Sequence, residues 1–192
     1  MPPISNLRFL TGLPPNVEVR RHDVESDDLG ETLYDFIHCR AVLMWLLEPE
    51  KALQRIFSAL KPGGRLLAEE MDWGFCDFGG HPDAGWATNC MHELFKRHET
   101  AGIRHPYFGR TLPAHVASAG FVNLEGDLAA AVATEGNSAL EVIRLTVRAL
   151  RAPSISLGES AADLDRLDSL LANPQIIAIG ITSVGVGGWK RE

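Results

Sequence analysis

Three linked stretches decide the reading. They are Tyr34-Asp35-Phe36-Ile37-His38-Cys39, then Glu48-Pro49-Glu50 with the residues to Leu60, then Lys61-Pro62-Gly63-Gly64 leading into Leu66-Leu67-Ala68-Glu69-Glu70-Met71. The first is short, apolar and rich in aromatic and β-branched residues, which predicts a buried strand. In the second, Leu53, Ile56, Phe57 and Leu60 recur at i, i+3, i+4 and i+7 and share one face of an amphipathic helix. Pro49 suits a first helical turn, where its missing N–H costs nothing, and Glu48 and Glu50 favour the positive end of the helix dipole. Lys61-Pro62-Gly63-Gly64 is expected to stop the helix and turn the chain into a second apolar run. Strand, helix, turn and strand make a βαβ unit, which predicts a parallel strand pair.

The wording of these stretches is more specific than their periodicity. D-F-I-H-C-R-A-V-L-M, E-P-E-K-A-L and L-K-P-G-G-R-L-L-A-E-E resemble the fourth strand, the following helix, the P-G-G turn and the fifth strand of class I S-adenosylmethionine-dependent methyltransferases. The resemblance implies a Rossmann-like α/β sheet and methyl transfer from S-adenosylmethionine. Upstream, Val17-Glu18-Val19-Arg20 alternates apolar and polar residues, as a half-buried strand does. P-N-V-E-V-R-x-x-D-V is similar to the family's third strand and the acid after it. The resemblance gives Asp23 the adenine amine, which a carboxylate can accept, and gives the backbone N–H of Val24 a ring nitrogen. Cys39 and Arg40, at the end of the fourth strand, would face the methionine part of the cofactor. On residue type alone, Asp23 is a solvated strand-end acid, Cys39 a small buried hydrophobe and Arg40 a surface charge. Many relatives carry His where this chain has Trp45.

Beyond Met71, Asp72-Trp73-Gly74-Phe75-Cys76-Asp77-Phe78-Gly79-Gly80 is a glycine- and aromatic-rich loop at the carboxyl end of a parallel strand, where open α/β sheets bind ligands. Trp73, Phe75 and Phe78 could wall a substrate pocket or cap the core. Glu70 and Trp73 are the substrate-side candidates. Glu69, Glu70 and Asp72 together could hold a cation or supply a base, but read more simply as a solvated acidic strand end. A helix is expected over Asp83 to His98 with Ala87, Met91, Leu94 and Phe95 inward. Gly109-Arg110-Thr111-Leu112-Pro113 through Ala119-Gly120-Phe121 resembles the family's G-R-x-L-P…A-G-F segment, with a sixth strand from Phe121 to Glu125.

Leu140, Ile143, Val147 and Leu150 stripe a helix from Gly136 to Arg151, broken by Pro153 and Gly158. Ser160 to Leu171 is a second helix, opened by an S-x-x-D cap. The pair reads as a helical insertion or lid over 134–172. Ile176 to Ile181 then supplies an antiparallel last strand between the fifth and sixth. Gly185-Val186-Gly187-Gly188 reads as a flexible strand end.

The family's glycine-rich [DE]-x-G-x-G-x-G loop and its first two strands find no counterpart before Asp23. The fold expected is therefore an amino-terminally incomplete sheet, shorter than the domain that evolved. An incomplete sheet leaves the edge at Tyr34 to Cys39 open, a place for a homodimer to form.

At 192 residues one domain is expected, and a mean hydropathy of −0.02 suits a soluble globular protein. A net charge of −7 argues against a broad nucleic-acid surface. The three cysteines form no zinc-type pairs and read as reduced thiols in a cytoplasm. No signal peptide is read, and the apolar tract from Ile176 is too interrupted to span a membrane. The seven histidines are scattered and no metal site is expected. Substrate class reads as small-molecule. The alternative is a methyltransferase-like remnant, without catalysis, serving dimerisation or regulation; a metal-dependent hydrolase rests on the acidic cluster alone.

Overall fold

The computed structural model describes residues 12–102 and 104–192. Two strands lie parallel on either side of the first helix: β1 (Tyr34–Arg40), α1 (Pro49–Ala59) and β2 (Leu60–Asp72). Ala52, Leu53 and Ile56 of α1 are buried, as the periodicity requires. The Pro-Gly-Gly turn lies within the span of β2 as a wide irregularity: Tyr34 pairs with Leu60, but Phe36 pairs with Arg65. Gly63 sits at φ +74°, a left-handed conformation that glycine adopts without penalty.

The rest of the sheet is built on β5 (Ile177–Trp189). β2 runs antiparallel along one of its edges, from Arg65 opposite Trp189 to Asp72 opposite Thr182. The chain then makes a 3-10 turn over Trp73–Phe75 and continues along the same edge as β3 (Asp77–Gly79), opposite Ile177 to Ile179. β4 (Val122–Ala133) takes the other edge. The last strand therefore lies between the fifth and sixth strands of the family, as expected, but it reaches to Trp189. Gly185 to Gly188 are buried, and Gly185, Val186 and Gly187 are paired on both sides, rather than a loose end. The glycines are needed for close approach: a Cβ at Gly188 would stand 2.9 Å from both Leu124 and Phe121 side-chain atoms.

Four helices complete the core. α2 (Ala84–Thr100) buries Ala87, Met91, Leu94 and Phe95, and α3 (Phe108–Ser118) buries Phe108, Leu112 and Val116. α4 (Ser138–Ser156) buries Leu140, Ile143, Val147 and Leu150, and α5 (Ala161–Leu171) is capped by the Ser160 hydroxyl accepting from the N–H of Asp163. Pro153 does not end α4. It forgoes the one ladder bond its N–H would have made to the carbonyl of Ala149, and the helix runs on to Ser156.

Three further sequence expectations fail. β1 is not a buried strand: it pairs on one side alone among the described residues, and Tyr34 and Phe36 are 37% and 52% exposed. Val17 to Arg20 form no strand; Val17 and Val19 are 45% and 41% exposed. Alternation marks a strand only where a neighbour satisfies its backbone, and among the described residues no strand pairs with it. Glu70 and Asp72 are also not solvated: both are fully buried, while the intervening Met71 is half-buried. Strand alternation places them on the face that carries Leu66 and Ala68.

Asp72 is answered by four donors. Arg110 binds it through Nε at 2.6 Å and Nη2 at 2.7 Å, and the backbone N–H groups of Arg110 and Gly74 donate at 3.1 and 2.9 Å. Arg110→Ala would leave a buried carboxylate short of its cation, and is expected to lower stability by about 3 kcal/mol. A guanidinium chloride midpoint unchanged from the parent would show that the pair contributes nothing.

Candidate functional site

The carboxyl ends of β1 and β2 carry the site. Cys39 and Arg40 close β1, and the chain then turns through Ala41, at φ +52°, into a 3-10 turn over Leu43–Trp45. Glu70 holds this turn from β2. Its Oε1 accepts the N–H groups of Val42 at 3.0 Å and Leu43 at 2.8 Å, and its Oε2 accepts that of Met44 at 3.3 Å. Burial pushes the Glu70 carboxyl up from its ordinary range, against the pull of those three donors. Glu70 thus shapes the loop around a candidate site, with both oxygens spent on backbone.

Glu69 is half-buried and meets His38 Nε2 at 2.7 Å. Cys39 is not a nucleophile in this setting. Burial first, then Glu70 and Glu69, push its thiol up to about 12, so it stays protonated near neutrality.

The segment with Asp23 and Val24 is held against α1 and the turn that leads into it. Glu25 Oε1 accepts from the N–H of Leu47 at 2.8 Å, and Arg55 donates to the carbonyl of Val24 at 3.1 Å. Val24 is half-buried against the core. Asp23 is exposed and accepts from the N–H of Glu25 at 2.9 Å. That bond and a hydroxyl contact from Ser26 hold its carboxyl below the ordinary range, so it is an anion with lone pairs to spare.

Trp73 is 1% exposed; its ring lies on Phe95 at 4.7 Å, which makes it a core residue beneath the loop. Phe75 is 48% exposed, and Phe78 is half-buried. The residues after α2 were passed over in the sequence, yet they bridge the site. The N–H of His105 donates to the carbonyl of Met44 at 3.0 Å, and that of Trp73 to the carbonyl of Pro106 at 3.0 Å. Both bonds are backbone to backbone, so no residue type announces them.

Residues 8–125 match the family model of a methyltransferase domain. The chain belongs to that family. Among curated relatives, methyltransferase str2 of Strobilurus tenacellus is 32% identical over 105 residues, covering 54% of this chain and 38% of that protein. Methyltransferase pytC of Aspergillus terreus is 31% identical over 90 residues, covering 46% of this chain and 28% of its own. An uncharacterised 37.1 kDa protein in transposon Tn4556 of Streptomyces fradiae is 29% identical over 166 residues, covering 86% of this chain and 46% of that protein. The chain therefore spans less than half the length of these relatives. Among solved structures, a Bacillus halodurans protein superposes with a TM-score of 0.52 at 13% identity, over 92% of this chain and 78% of its own. YcgJ of Bacillus subtilis gives 0.51 at 13%, over 90% and 70%. Both share the Rossmann-like class I fold.

S-adenosylmethionine is the cofactor of this family. The described residues fit part of it. Asp23 offers an exposed carboxylate, and Cys39 and Arg40 end the strand beside the turn that Glu70 shapes. Residues 12–33 hold only turns and irregular chain, with no glycine turn between a strand and a helix to approach the ribose and methionine. A groove of about 660 Å³ lies between Glu18, Arg20, His22, Gly30 and Tyr34, towards the amino end of β1 and away from Cys39.

Glu70→Ala should cost about 3 kcal/mol, since three buried N–H groups lose their acceptor. Glu70→Gln, which keeps one accepting oxygen, should cost about 1 kcal/mol. Chemical denaturation and amide exchange at Val42, Leu43 and Met44 measure both; slow exchange in the alanine variant would remove Glu70 from control of the turn.

Proposed function

We propose that this chain is an S-adenosylmethionine-dependent methyltransferase, or the carboxyl-terminal portion of one, acting on a small-molecule acceptor. The observation that carries the reading is the sheet order β1, β2, β5, β4, with parallel β1 and β2 and an antiparallel β5 between β2 and β4. It stands beside a family match that runs through β1, β2 and the start of β4.

In this reading Asp23 accepts a hydrogen bond from the adenine amine, and the N–H of Val24 meets a ring nitrogen. Cys39, neutral and small, and the backbone at Arg40 face the methionine end. When bound, the sulfonium supplies a methyl group already activated for transfer. The protein's part is then orientation and exclusion of water. Glu70 fixes the turn after β1, and so the floor on which the acceptor rests, without exchanging a proton itself. Trp73, locked under the loop, supports the same floor from below. The helices α4 and α5 border the acceptor side as part of the insertion.

Asp23→Ala should weaken S-adenosylhomocysteine binding by about 1.5–3 kcal/mol, the scale of a charged hydrogen bond. Isothermal titration of both proteins decides it; equal affinities would take Asp23 out of the site.

A second reading is a non-catalytic module that pairs with its own kind. What favours it is the outer edge of β1, which has no strand partner among the described residues. Tyr34 and Phe36 there are 37% and 52% exposed. An unprotected edge is a template for another chain. Light scattering should then show a mass that rises with concentration, and Phe36→Lys should hold the protein monomeric. A parent chain that stays monomeric at high concentration would end this reading.

A further inference from the structure

The segment Arg104 to Tyr107 lies across the carboxyl ends of β1 and β2, pinned to Met44 on one side and to Trp73 on the other. Its side chains are chemically unusual for this protein. Arg104 is half-buried, with its guanidinium 4.6 Å from the ring of Trp45. The stack holds the guanidinium against the indole ring. Arg104 has no carboxylate within ion-pair distance among the described residues, although the chain carries 25 Asp and Glu residues against 18 Lys and Arg. The neighbouring Arg110 is the contrast, since its charge is taken up by Asp72.

Three polar atoms on or next to this segment are buried without a hydrogen-bond partner among the described residues: Arg104 Nε, His105 Nε2 and Trp73 Nε1. Arginine and indole nitrogens can only donate. Buried donors in native proteins are normally answered, so what answers them here must be an acceptor. Burial also pulls the Arg104 guanidinium down from its usual value, as expected of a cation with no anion beside it.

We propose that Arg104, held flat on Trp45, binds a carboxylate group of the methyl acceptor and so selects carboxylate-bearing substrates. A carboxylate matches the planar fork in two parallel bonds and brings a single negative charge. On this face Arg110 is already neutralised by Asp72, while the stacked Arg104 has no acid partner among the described residues. Arg104 is a specificity-determining residue, and the assignment rests on the methyltransferase reading for calling its ligand an acceptor.

The test uses the full chain and a matched pair of probes, benzoate and benzamide, which share a shape and differ in charge. Titrations at low salt follow the Arg104 Nε–H and Trp45 indole N–H signals by nuclear magnetic resonance. Benzoate should shift both signals and bind at least about tenfold tighter than benzamide, with the preference shrinking as salt is added. Arg104→Met keeps the apolar cover on Trp45 and should abolish the preference. Arg104→Lys keeps the charge but loses the fork and should retain only a several-fold preference, which serves if the methionine variant fails to fold. Equal binding of the two probes, or a preference unchanged in either variant, overturns the proposal. Displacement of benzoate by an equal concentration of inorganic phosphate overturns the carboxylate assignment. Titration with S-adenosylhomocysteine separates the two claims: if it binds while benzoate is not preferred, only the carboxylate site fails. If benzoate is preferred while S-adenosylhomocysteine never binds, the anion site stands and methyl transfer falls.

Discussion

A carboxylate without water must be answered by the protein, and at the end of β2 there are two. Glu70 and Asp72 sit on the inner face of the strand because residues two apart share a side. Glu70 gathers the turn after β1, and Asp72 gathers the start of α3 and the turn after β2. The apolar core decides that a sheet and five helices pack together. These two acids decide how the loops at one end of the sheet are folded. That end carries the candidate site, so the site inherits its shape from acids whose oxygens are spent on backbone and arginine donors. The same charges make the loops costly to rearrange, because each displaced N–H would leave an anion short of a donor.

Much of the fold was legible. The 3.6-residue stripes of α1, α2, α4 and α5 name the residues that are buried, because burial of one face is what makes a helix of that length stable. The parallel pair and the inserted last strand were legible through wording shared with a family rather than through periodicity. The failures share a cause. Val17 to Arg20 alternates correctly but has no partner, and a strand is a property of two segments. β4 and β5 run longer than their apolar cores, Phe121 to Glu125 and Ile176 to Ile181, because each lends the other backbone partners through glycines and alanines that carry no pattern.

The candidate site was legible in part. Asp23, Cys39 and Arg40 were named from family wording; Cys39 and Arg40 end β1, while the Asp23 segment is held against α1 and the turn before it through Glu25 and Arg55, neither of which the sequence singled out. Glu70 and Trp73 were named as facing substrate, and the structure puts both inside. The reading of Glu69, Glu70 and Asp72 as a solvated cluster failed because charge was allowed to outweigh the two-residue period. Arg104 left no mark at all: its distinction is a stack on Trp45 and the lack of an acid, and both are facts of three dimensions.

The position of β5 has a consequence for how the molecule comes to be. β2 emerges early in synthesis and β4 much later, yet neither can complete its hydrogen bonds until β5 slides between them, after α2, α3, α4 and α5 have all been made. The sheet closes with its final strand, through contacts of long sequence separation, which are slow to form. Until then β2 and β4 present bare backbone to the cell, and a nascent chain in that state is a natural client for chaperones.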